Sequence, residues 1–216
     1  MKRIFFAGTL ILAFFSAEVS AVVVSAGLSP GITVDYQSSR VEIMGVSGSA
    51  YQSRNIFGIE AFLDVHYLLL GISYDTMTGG MTSGAEVMGI PGEPLNDPGF
   101  GGSRLRFDFF FKFPYSPSDK LALFPLLGVK YSVNLTSTYA GLDLKEFMTD
   151  EAIADMNDLY AVIGFGGDLA FGKYVFLRLS AAVSYNLTLA PRGMAAKNFF
   201  GFDFGTAVAI GFKFNP

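Results

Sequence analysis

Apolar positions in this chain recur at every second residue. Leu105, Phe107, Phe109, Phe111 and Phe113 fall on one face of a run, and Arg104, Arg106, Asp108 and Lys112 on the other. Leu68, Leu70, Ile72 and Tyr74 alternate in the same way with Leu69, Gly71, Ser73 and Asp75. Near the end, Phe200, Phe202, Phe204, Val208, Ile210, Phe212 and Phe214 alternate with Gly201, Asp203, Gly205, Ala207, Gly211 and Lys213. Successive residues of a strand point to opposite faces, so this period predicts strands with one apolar and one polar face.

Eight such strands are predicted, over residues 22–37, 55–65, 67–76, 104–113, 120–136, 159–171, 173–189 and 199–214. An even count returns the chain to the side where it began. The links alternate in length. Those at 38–54, 77–103, 137–158 and 190–198 are long, and those at Val65–His66, Pro114–Asp119 and Gly172 are tight. Outer-membrane barrels segregate short periplasmic turns from longer outer loops, whereas a soluble meander has no reason to do so. A soluble, lipocalin-like barrel would also turn a face rich in Gly, Ala and Phe to water. The expected fold is therefore all-β: a closed up-and-down antiparallel transmembrane β-barrel of eight strands, with the apolar face on lipid and the polar face in the lumen. Pro30 and Pro125 fall inside predicted strands, where each removes a ladder donor, and bulges are expected at both. Tyr36, Tyr67, Tyr74, Tyr131, Tyr160, Tyr174 and Tyr185 lie near strand ends, as aromatic girdles require.

The first residues change the picture by adding export. Lys2 and Arg3 precede the apolar run Ile4–Phe15, which is too short to span a bilayer. Val19 and Ala21 then suit a cleavage site. Residues 1–21 are expected to be a signal peptide, and 22–216 a single barrel domain. There is no cysteine, hence no disulfide framework, and closure of the backbone ladder must supply stability instead. The net charge of −4, without a basic stripe, argues against a nucleic-acid partner.

On the polar face the pattern places Glu60, Asp64, Asp75, Arg104, Arg106, Asp108, Lys112, Lys130, Asp168, Arg178, Asp203 and Lys213. Eight strands leave a lumen just wide enough for side chains to fill it, and buried unpaired charge is costly, so a paired lattice is expected. Phe62, Phe110, Phe124 and Phe176 also fall on the lumen side. With Met77, Met81 and Met88 of the second long link they form the candidate apolar ligand site. The third long link carries Asp143, Glu146, Asp150, Glu151, Asp155 and Asp158. Asp143 and Glu146 have capping-box spacing, so a short surface helix is expected there, without the ligand spacing of a calcium loop. His66 is the sole histidine and falls in a tight link, away from any outer-leaflet substrate; no catalytic residue, metal site or cofactor is expected.

Signal peptide, absence of cysteine, eight amphipathic strands, alternating links and the Phe-rich last strand together resemble the small outer-membrane barrels of the OmpA-barrel, OmpX and OmpW/OprG types. The resemblance spans the mature chain and is one of architecture. Such barrels commonly end in an aromatic residue; here Phe214 stands two residues before the end. The OmpW/OprG resemblance implies passive passage of small apolar molecules, and the OmpX/OmpA resemblance a structural or adhesive surface role. The partners so implied are outer-membrane lipid, the barrel-insertion machinery, and either a small apolar ligand or a host surface component, with the barrel a monomer in the outer membrane.

Overall fold

The computed structural model describes residues 23–43, 46–87, 90–91, 95–139, 141–146, 149, 157–188 and 196–214. The predicted signal peptide lies outside them. Eight long strands form the wall: β1 (Val24–Ile43), β2 (Val46–Val65), β3 (Leu68–Val87), β4 (Leu95–Lys112), β5 (Leu121–Tyr139), β6 (Asp158–Phe171), β7 (Val175–Asn186) and β8 (Ala196–Lys213). Each pairs antiparallel with the next, and β8 pairs with β1. The sheet is thus closed, and every wall strand has a neighbour on both sides.

The alternation sorts the faces as an outer-membrane barrel requires. Leu28, Ile32, Phe57, Ile59, Phe109, Ile163, Leu179 and Ile210 are exposed on the outer surface. Asp35, Asp75, Arg104 and Asp203 are almost wholly buried inside. Large apolar side chains outside and charge inside invert the soluble arrangement, and lipid is the solvent that makes the inversion stable. The chain is an eight-stranded β-barrel of the outer-membrane type.

The strands are longer than the apolar pattern indicated. β1, β2 and β3 each have 20 residues, whereas about 9–11 tilted residues cross a bilayer. The predicted links 38–54 and 77–103 are therefore largely paired strand. Their Ser, Thr, Gly and Gln residues leave no apolar face to read, yet their backbone groups still pair across the hairpin. By contrast β6 and β7 have 14 and 12 residues, so the wall is tall around β1–β4 and low at β6–β7.

Neither proline marks a bulge. Pro30 pairs with Ile59 in unbroken register on β2, and on the β8 side the ladder skips Ser29 and Pro30 while keeping its register. The Ser29 hydroxyl leans toward the Val208 carbonyl at 3.5 Å beside that gap. Pro125 stays in register with Phe165 on β6 and stands where the β4 ladder ends at Lys112–Leu126. Each missing N–H falls at a gap or an end of a ladder, so no extra residue has to be accommodated. Register shifts occur instead between Ser38 and Arg40, between Gly79 and Met81, and between Ser103 and Arg104.

At the tight end, His66 takes a φ of 55° in the β2–β3 turn. The link after β4 holds a short strand, Tyr115–Ser118, that folds back on β5. In the third long link the described residues hold a 3-10 turn, Leu144–Glu146, rather than an α-helix. There the Asp143 carboxylate accepts the Lys145 N–H at 3.0 Å.

Candidate functional site: the charged lumen

The polar face converges on the barrel axis, where, among the described residues, ten ion pairs join six cations to eight carboxylates. They form three tiers. Nearest the tight turns, Arg178 holds Asp168 through Nε at 2.6 Å and Nη2 at 2.8 Å, and reaches Asp64 at 2.5 Å. Lys112 meets the same Asp64 oxygen at 2.5 Å. The Arg178 guanidinium lies about 5 Å from the centres of three rings, those of Phe62, Phe124 and Phe176. Lys112 sits 5.2 Å over the second of these rings. A weakly hydrated, planar cation is suited to such a cage. Backbone without side chains makes room for it: a Cβ on Gly166 would overlap the Phe124 ring, and one on Gly211 the Phe176 ring.

In the middle tier Arg106 bridges Glu60 at 3.0 Å, Asp108 at 3.0 Å and Asp75 at 3.2 Å, while Arg104 holds Asp75 at 3.0 Å. Ser73 also donates to Asp75. Lys130 pairs with Asp203 at 2.6 Å and lies 5.1 Å over the Tyr160 ring. Between the first two tiers is a cavity of about 90 Å3, walled by Glu60, Asp108, Asp203, Phe62 and Phe110 among others. Its size matches about three water molecules.

The third tier, toward the long hairpins, centres on Arg54. It pairs with Asp35 and, at 3.4 Å, with Asp158. Gln37 donates to Asp35 at 3.3 Å, and Asn186 to Asp158 at 2.9 Å.

All but one of the charged residues assigned to the lumen from the sequence therefore meet one another inside the barrel. The exception is Lys213, half-buried at the tight-turn rim and in no ion pair among the described residues. Phe62, Phe110, Phe124 and Phe176 are buried on the lumen side, but three of them cage a cation rather than line an apolar chamber. Met77 is buried in β3. Met88 and the side chain of Met81 lie outside the described residues. Tyr160 is a correction: it is fully buried in the lumen against Lys130, not part of an outer girdle, because its even-numbered position in β6 shares the inward face of Asp158 and Val162. Asp35 and Arg54 are not among the residues the sequence assigns to the lumen. Asp158, expected in the acidic third link, is a further correction: it opens β6, is buried in the lumen and pairs with Arg54. The signal in the sequence for Arg54 is its parity with Ile56, Gly58 and Glu60, which places it on the lumen face because β2 extends well before residue 55.

No protein-family model and no curated protein matches the chain. Among solved structures it is similar to the outer membrane protease OmpT from Escherichia coli, with 11% identity, TM-score 0.48, 91% of this chain and 99% of that one. It is also similar to Neisserial surface protein A, with 14% identity, TM-score 0.38, and coverage of 86% and 97%. Ail, the attachment invasion locus protein of Yersinia pestis, follows with 12% identity, TM-score 0.28, and coverage of 86% and 98%.

Proposed function

We propose that this chain is a closed outer-membrane scaffold, which holds paired hairpins above the bilayer in a structural or adhesive role and has no enzymatic activity. The observation that carries the reading is the first tier, where Arg178, Lys112, two carboxylates and three aromatic rings fill the tight-turn end of the lumen. A solute crossing there would have to break charge-assisted bonds in a low-dielectric interior. The tall hairpins supply the surface for which such a scaffold would be built. Passage of small apolar molecules, the competing reading, would have to use, among the described residues, a lumen cavity of about 90 Å3 whose wall mixes Phe62, Leu69 and Phe110 with Glu60, Asp108 and Arg178.

The test exploits the register. Thr78 and Gly101 are directly paired, so replacing residues 79–100 with Asn-Gly closes a two-residue hairpin without disturbing the membrane wall. The truncated protein is expected to keep its heat-sensitive gel mobility and to lose adhesion of expressing cells to protein-coated surfaces. Uptake of a small apolar probe into liposomes should be equal for wild type, truncated protein and protein-free controls. Faster uptake with wild type, abolished by the truncation, would overturn the scaffold reading in favour of passage.

A further inference from the structure

The lipid-facing wall is not uniform. On β5, β6 and β7, near the tight-turn end, lies an apolar groove of about 500 Å3. Gly167 and Ala181 lie low in it, between the walls Leu123, Phe165, Leu169 and Leu179. The register explains the trough: Gly167 stands between Leu123 and Leu179, and Ala181 beside Phe165. Two small outward residues on adjacent strands thus sit among large ones. A Cβ at Gly167 would come within 3.1 Å of the Leu123 side chain, so that wall folds over the gap.

The groove ends at charge. Lys120 immediately precedes β5, and its carbonyl accepts the Ala170 N–H of β6 at 2.7 Å. Lys173 lies in the adjacent β6–β7 turn, between Leu169 and Leu177 of the groove. Both lysines are exposed, and neither forms an ion pair among the described residues. Asp119 is the exposed carboxylate beside them. Phe171 and Tyr174, both exposed, mark the interface at this turn.

An apolar trough within the membrane, bordered at one end by the turns that carry two exposed lysines, suits a lipid with an acyl chain and an anionic head. We propose that the groove is a specific site for an anionic phospholipid of the leaflet at the tight-turn end, with an acyl chain laid in the Gly167–Ala181 trough and the phosphate headgroup at Lys120 and Lys173. In barrels of this type that leaflet is the periplasmic one. Basic residues at a membrane surface favour net-negative lipids, and each lysine contributes about a fivefold preference. A zwitterionic lipid fits the trough equally well but brings its own cation to the rim.

The experiment is native mass spectrometry of the detergent-purified barrel with equal amounts of phosphatidylglycerol and phosphatidylcholine, with folding checked by unheated gel mobility. Wild type should retain phosphatidylglycerol in preference. Lys120→Gln and Lys173→Gln should each lower that preference about fivefold without changing retention of phosphatidylcholine. Ala181→Leu, which fills the trough, should lower retention of both lipids. Equal retention of the two lipids by wild type, unaltered in the lysine variants, overturns the proposal. So does a wild-type dimer that Ala181→Leu dissolves, which would assign the groove to a second copy of this chain.

Discussion

At the tight-turn end of the lumen Arg178 and Lys112 face Asp64 and Asp168, charge for charge, inside a cage of rings. At the hairpin end Arg54 alone faces Asp35 and Asp158, and the middle tier sets Arg104, Arg106 and Lys130 against Glu60, Asp75, Asp108 and Asp203. The first tier is neutral by formal charge; each of the others carries one carboxylate in excess. Packing follows the same division. Among the described residues, buried polar atoms without a hydrogen-bond partner include Asp35 Oδ1, Arg104 Nη1, Ser132 Oγ and Ser184 Oγ, all in the upper tiers. The first tier has only Arg178 Nη1, whose guanidinium lies against aromatic faces. Closure is thus concentrated at one end. A neutral, ring-packed tier seals the barrel, while the acidic upper lumen is built to tolerate water.

The largest effect should come from the seal. Arg178→Met strips the cage of its cation and leaves Asp168 without its bidentate partner, and Asp64 with Lys112 alone. Breaking a buried pair from one side costs roughly 3–5 kcal/mol. Urea titration of the protein folded in vesicles should show a loss of this size. Unchanged stability in Arg178→Met would mean that the tight-turn end is as wet as the other, and the contrast between the ends would vanish.

A matched pair of isosteric changes sharpens the contrast. Asp168→Asn removes charge from the balanced tier and weakens two bonds to Arg178, which should cost about 1.5–3 kcal/mol. Asp158→Asn removes one of two carboxylates that share Arg54, while Asp35 stays in place and an amide oxygen can still accept from Asn186, so its cost should be about 0.5–1.5 kcal/mol, the net worth of one hydrogen bond. The same urea titration compares them directly. Equal losses would show that both tiers depend on charge balance to the same degree.

What the sequence disclosed follows the same physical line. Where lipid demands a greasy face, the period of two was plain, and Phe107, Phe109 and Phe111 with their polar neighbours set the register of β4 without ambiguity. Beyond the bilayer that demand ends. The strands past Gln37 and Met77 carry no apolar alternation, so they read as links, and Arg54 falls in one of them; Asp35 lies within the predicted strand 22–37 but stands alone as a charge there, with no partner legible in its own strand. The Phe residues of the lumen were placed on the correct face, but single-strand patterning carries no information on what stands across the axis. That Arg178 of β7 would meet Asp64 of β2, far away in sequence, is a property of closure. Tyr160 shows the converse, since nearness to a strand end suggested a girdle while parity, the better guide, placed it inside.

The smallest effect should be at His66, just below the seal. Its φ of 55° lies in the left-handed region, where any L-residue other than glycine is disfavoured by roughly 1–2 kcal/mol. Alanine tolerates this φ somewhat less well than histidine, which is enriched at positive φ. It also loses the edge-on contact with Tyr67, whose ring centre lies 3.8 Å from that of His66. His66→Ala should therefore lower stability by about 0.5–1 kcal/mol, mostly the worth of one aromatic contact. His66→Gly should recover that loss in part, because glycine adopts the turn freely although it gives up more entropy on folding. The order expected from urea titration is wild type, then glycine, then alanine, all within about 1 kcal/mol. An effect from His66→Ala as large as that of Arg178→Met would show that the turn, rather than the caged cation above it, holds the tight end closed. Loss of a hydrolytic activity in the same variant, with stability unchanged, would instead give His66 a chemical role and overturn the scaffold reading at its enzymatic clause.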